Sequence, residues 1–118
     1  QHFLIIMKLP NQICEEIKRY CLDNRTVEVC GFVVKKDDLI SFIPVDNKHP
    51  DKKWFFLISP EDYLKIKKEY VILYLFHSHP LDASFSNFDL KYQKYHNMNM
   101  LLYNVAVDLF EEKRVNIY

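Results

Sequence analysis

Apolar positions change their period several times along the chain, and each change marks an element. Ile13, Cys14, Ile17 and Cys21 recur at helical spacing with charged residues between them, which predicts an amphipathic helix over residues 10–22 with Pro10 suited to its first turn. VEVCGFVVKK (27–36) and LISFIPV (39–45) are rich in β-branched and aromatic residues. They read as a hairpin connected through the polar KKDD. After the polar loop DNKHPDKK, the run WFFLI (54–58) predicts a strand. In SPEDYLKIKKEY (59–70), Ser59 caps, Pro60 takes the first helical position and Asp62 lies three residues after the cap, which predicts a second helix.

YVILYLFHSH (70–79) has the continuous apolar character of a buried strand. SNFDLKYQKYH (86–96) reads as a third helix capped by Ser86, and MLLYNVAVDLF with KRVNIY as a closing strand pair. The resulting order predicts an α+β domain of three layers, a mixed sheet flanked by helices.

The length of 118 residues suits a single domain spanning 1–118. Residues 1–6 read as left over from expression or from a longer precursor, with Met7 as the natural start. Sixteen basic and sixteen acidic residues balance and are spread along the chain, leaving no basic footprint for nucleic acid. No apolar run reaches the ~18 residues of a membrane span. Cys14, Cys21 and Cys30 form no CxxC pair, so a reducing compartment fits better than a disulfide framework. Gly31 is the single glycine, which excludes glycine-rich phosphate loops.

The candidate chemistry lies in HSHPLDASFSNFD (77–89). Alternate side chains of a strand share a face, so His77 and His79 point the same way with Cα atoms roughly 6.5–7 Å apart. Two imidazoles at that spacing can converge on one ion. Asp89, in the first turn of the next helix, is the natural third ligand of a site that keeps one position open. Ser86 and Asp89 also fit an N-cap with an acid at the third helical position, where the helix dipole favours negative charge. Capping accounts for that pair taken alone, but not for the two histidines.

These residues resemble the JAMM motif of the MPN-domain metalloproteases: histidine, any residue, histidine, usually proline, then serine and an aspartate three residues later. An upstream glutamate at a strand start belongs to the same pattern, and Glu28 in EVCG is similar to the signature of prokaryotic members. Without the motif, Glu28 would read as a solvated acid before an apolar strand. The family separates its second histidine from the serine by seven residues; here six lie between His79 and Ser86. Ser84 is no substitute, because five positions separate it from Asp89.

The resemblance implies a fold of the cytidine-deaminase-like, three-layer kind. It implies one Zn2+ ion held by His77, His79 and Asp89 with water as fourth ligand, and hydrolysis of a peptide or isopeptide bond. Glu28 would act as general base and then acid, and Ser86 as a donor to the oxyanion. The substrates it brings are protein or peptide: the C-terminal tail of a ubiquitin-like or sulfur-carrier protein, or the target of a phage tail-associated peptidase. An exposed edge strand could hold such a tail by β-augmentation. The expected location is the cytoplasm, or a virion for a phage-encoded enzyme. The alternatives are a non-catalytic MPN-like scaffold for protein contacts and a domain that binds zinc without turnover.

Among the remaining residues, Cys30 reads as a core cysteine instead of a nucleophile. His96 lies too far along its helix to share the ion and reads as a surface residue, as do His2 and His49. Trp54, Phe55 and Phe56 read as core more readily than as a substrate groove.

Overall fold

In the computed structural model, which describes residues 9–81 and 83–115, the three-layer α+β arrangement is built on one five-stranded mixed sheet. The elements are α1 (Asn11–Asp23), β1 (Cys30–Lys36), β2 (Leu39–Val45), α2 (Pro60–Glu69), β3 (Val71–His79), α3 (Asn87–His96), β4 (Met100–Asn104) and β5 (Leu109–Lys113). Strand order is β2-β1-β3-β4-β5. β3 and β4 are parallel, with α3 as their crossover, and the other neighbours are antiparallel.

The two faces of the sheet follow from strand alternation. Val33, Tyr74, Phe76, Leu101 and Tyr103 pack on Ile13, Ile17 and Cys21 of α1. Cys30, Phe32, Val34, Leu75 and Met100 pack on the other side against Phe56, Ile58 and Ile66, with Phe88 and Tyr92 of α3 closing the layer. His77 and His79 continue the second face, so the apolar run that buries β3 also delivers both imidazoles under α3.

The caps act largely as their residue types dictate. Ser59 Oγ accepts from Asp62 N at 3.1 Å ahead of Pro60. Pro10 is the cap of α1 instead of its first residue, and its carbonyl accepts from Ile13 N at 3.0 Å. Asp37, at φ 55°, turns the β1–β2 hairpin where KKDD predicts it.

Two expectations fail, the first because a side-chain amide supplies what a strand ladder would, the second because the chain turns earlier than its apolar pattern indicates. WFFLI forms no strand. Asn47 instead donates to the carbonyls of Glu28 and Phe55, each at 2.9 Å, and accepts from the N–H of His49 and of Leu57, each at 3.0 Å. All four hydrogen-bonding positions of that amide are used. The closing pair turns at Val105–Asp108, with Asp108 at φ 54°, so β5 is LFEEK, and of the described part of KRVNIY only Lys113 belongs to it. Glu112 of β5, paired with Leu101, accepts from Tyr74 Oη at 2.5 Å. Residues 1–6, His2 and residues 116–118 lie outside the described residues.

Gly31 is required by close approach. A Cβ there would run into the Ile43 carbonyl oxygen and stand 2.8 Å from Pro44 Cα, both backbone atoms of the neighbouring strand. Gly31→Ala is expected to cost about 2–3 kcal/mol, read as a lower midpoint of urea unfolding with an unchanged slope.

Candidate metal centre

β1 and β3 pair antiparallel with Cys30 opposite His77. Beyond that rung, Ser78 N donates to Val29 O at 2.9 Å and Val29 N to Ser78 Oγ at 3.0 Å. The pairing is thus prolonged past the last formal rung and sets Glu28 beside His79. A second tie fixes the Glu28 backbone, whose N–H donates to Lys52 O at 2.7 Å while its carbonyl accepts from Asn47.

From the opposite side, the α3 N-terminus presents Asp89 through a complete capping box. Ser86 Oγ accepts from Asp89 N at 3.1 Å, and Ser86 N donates to Asp89 Oδ2 at 2.8 Å. The cap and the metal-ligand readings of this pair are therefore compatible: the box aims the carboxylate at the histidines. One ligand atom each from Glu28, His77, His79 and Asp89 lies within 4.8 Å of the others, and all four residues are buried. Asp89 Oδ2 is 3.2 Å from His77 Nε2 and 3.1 Å from His79 Nε2, and Glu28 Oε2 is 3.6 Å from His79 Nε2.

The group has the donor set for a cation. His77 is fully buried, stacked on Phe56 at 4.5 Å between ring centroids. Neither ring nitrogen has a hydrogen-bond partner, since the contact to Asp89 is close but misaligned. Burial keeps this imidazole below its usual pKa against the pull of Asp89, so it is neutral and offers a lone pair. Glu28 Oε1 is likewise buried without a partner. Leaving such atoms unmatched is costly, and a cation among them would satisfy His77.

His79 Nδ1 stands 2.8 Å from Ala83 O. Donation to that carbonyl places the ring proton on Nδ1 and leaves Nε2 facing the carboxylates. Burial opposes a charge on His79, but Asp89, the Ala83 carbonyl and Glu28 outweigh it and raise its pKa. Burial likewise works against ionising Asp89, yet the two imidazoles and Ser86 N–H hold its pKa well below the carboxylate range. Burial pushes the Glu28 carboxyl up to about 8, with His79 lowering and Asp89 raising it.

The shortened loop after His79 is held by groups that sequence reading missed. Ala83 N donates to Asn104 Oδ1 at 3.2 Å, Asn104 Nδ2 to Glu111 Oε2 at 2.7 Å, and Ser84 Oγ to Glu111 Oε1 at 2.6 Å. Val105 N also donates to His79 O at 3.0 Å. Ser84 is therefore committed to β5, while Ser86 keeps its hydroxyl beside His79 and Glu28 in a common cleft. Buried Asn104 at the end of an apolar strand is the one detectable signal of this clamp; Asn47 sits in a polar loop where asparagine is ordinary. Asn104→Ala is expected to weaken metal binding by about tenfold, the low end for groups acting through a ligand's partner. Competition against a chromogenic chelator measures it.

Cys30 is a buried core thiol, pushed up to about 12 by burial, as expected. His49 and His96 are not free surface residues. His49 lies 4.9 Å from the Phe55 ring and His96 4.6 Å from Tyr92, both half-buried in aromatic layers. The aromatic trio divides: Phe56 is core, while Trp54 is 54% exposed and lines the cleft. Among the described residues no helix is long and apolar enough to cross a membrane.

No curated protein matches the chain. Among solved structures, the solution structure of protein DSY2949 from Desulfitobacterium hafniense is similar in fold. It superposes with a TM-score of 0.65 at 19% identity, covering 89% of this chain and 88% of that one. The model of the family described as prokaryotic homologs of the JAB domain matches residues 10–118, nearly everything the elements and the buried cluster occupy, and the chain belongs to that family.

Proposed function

We propose that this protein is a zinc-dependent peptidase or isopeptidase, with the ion held by His77, His79 and Asp89 and with Glu28 as proton carrier. The observation that carries this reading is the buried Glu28, His77, His79 and Asp89 group, whose ligand atoms all lie within 4.8 Å. Two imidazoles and one carboxylate with an open side are the donor set of a catalytic zinc rather than of a closed structural site. His77, His79 and Asp89 would hold such an ion, which would supply Lewis acidity to a water and to the scissile carbonyl.

Glu28 is suited to the proton transfers. Its Oε1 is buried without a partner, burial raises its carboxyl above the usual carboxylate range, and its backbone is fixed by Lys52 and Asn47. Glu28 would take a proton from the attacking water and pass it to the leaving amine as the C–N bond breaks. Ser86 accepts a hydrogen bond from Asp89 N, so the hydroxyl hydrogen remains to be donated to the developing oxyanion, a contact worth roughly 100- to 1000-fold in rate. His79 is held in its tautomer by Ala83 throughout. Water is consumed, the C–N bond breaks, and a carboxylate and an amine are released.

Elemental analysis of the purified protein, followed by a peptide and isopeptide hydrolysis screen with Glu28→Gln as inactive control, tests this. About one zinc per chain with turnover lowered at least about 100-fold in Glu28→Gln supports it. A folded protein that takes up no zinc when supplied overturns it and makes the non-catalytic scaffold the better reading.

A further inference from the structure

The cleft in front of Glu28, His79 and Ser86 has a volume of about 490 Å³, in the range of a built ligand site. Its walls differ in chemistry from its floor. Trp54 projects from the segment between β2 and α2, and Leu81 from the loop after β3. They are 54% and 53% exposed, and Pro80 adjoins them. A tryptophan and a leucine left this open on separate loops line one cleft, the exposed apolar surface that ligand-binding grooves display. Arg25 and Lys53 line the same cleft. Among the described residues neither is in an ion pair; Arg25 Nε makes a long 3.4 Å contact to Leu22 O, and Lys53 Nζ lies 5.6 Å from the Trp54 ring centroid. Among the described residues Glu28 is the only carboxylate in the lining, and it is buried at the floor.

Resting on the peptidase reading above, we propose that this cleft selects peptide segments in which an apolar side chain is followed by acidic residues. The apolar side chain packs between Trp54 and Leu81, and the carboxylates meet Arg25 and Lys53. Unpaired cations beside low-dielectric walls focus their field on the cleft and act mainly on selectivity and association. A basic segment finds no partner there and meets like charge, which rejects it.

The chain contains one tryptophan, so Trp54 emission reports occupancy of the cleft without any turnover. The test titrates zinc-loaded Glu28→Gln protein with two blocked peptides, acetyl-Ala-Leu-Glu-Glu-Ala-amide and acetyl-Ala-Leu-Lys-Lys-Ala-amide. The glutamate peptide is expected to bind about tenfold tighter or more, with the gap narrowing as salt rises. Adding Arg25→Glu and Lys53→Glu, both exposed positions, is expected to invert the order. Equal affinities, silence of Trp54 towards both peptides up to about 1 mM, or a glutamate preference that survives the double reversal overturns the assignment. Preferential binding of the glutamate peptide leaves the cleft assignment standing whether or not the wild type cleaves it, and the peptidase reading is overturned separately, by a folded protein that takes up no zinc.

Discussion

Asp89→Asn is expected to strip the protein of its metal while leaving it folded. The carboxylate has two tasks at once: Oδ2 accepts from Ser86 N at 2.8 Å in the capping box and stands within 3.2 Å of both His77 and His79 Nε2. Asparagine keeps an oxygen for the cap but loses the charge and basicity a cation needs, so affinity falls by more than the ~10–100-fold typical of second-layer partners. Asp89→Ala removes both tasks, with an added cap loss of about 1 kcal/mol. His77→Ala adds a cavity beside Phe56 to the lost ligand, since the two rings stack at 4.5 Å. Zinc content by elemental analysis, with circular dichroism as the check on folding, separates these effects. Asp89→Asn that binds zinc like the wild type would exclude Asp89 as a ligand.

The same double use explains why so much of the centre was legible in the chain. His77 and His79 share a face by strand alternation alone, and Asp89 sits in the first turn of a helix whose start Ser86 announces. One strand end and one helix start, both predicted, bring three of the four groups together. Glu28 depended on resemblance, because nothing in an isolated acid before an apolar strand shows that it is buried at 5% exposure. Its placement comes from β1–β3 register, a long-range fact.

What escaped reading was the support. Asn47 replaces a strand ladder with side-chain hydrogen bonds, so WFFLI has strand composition without strand pairing, and Phe56 and Trp54 end on different sides of the site. Asn104 and Glu111 recruit an acidic segment into β5 and pin the loop after His79. That pinning shows how a loop with six residues between His79 and Ser86 still delivers Asp89. Single asparagines acting over 8 to 21 positions of sequence carry no periodic signal, and composition treats them as ordinary turn residues.

Glu28→Gln is expected to leave zinc content unchanged and lower turnover by about 100- to 10,000-fold, the usual worth of a positioned acid–base group. The loss belongs in kcat with KM little altered if Glu28 acts on the reacting proton and not on substrate binding. The backbone ties to Lys52 and Asn47 use main-chain atoms of Glu28 and survive the change. In the metal-free protein the same variant carries a second, independent signature. The folded-state pKa of Glu28 is raised from 4.5 to about 8, so between those values the folded protein holds a proton that the unfolded chain has released. The contribution of Glu28 to stability therefore falls as pH rises from about 4.5 to about 8. The glutamine introduced by Glu28→Gln has no charge to bury, so the metal-free variant lacks that decline and melts above the wild type near pH 8. Chelator-treated samples scanned for Tm at pH 5 and pH 8 read the difference. Parallel pH profiles for the two proteins would mean that burial does not raise the Glu28 carboxyl.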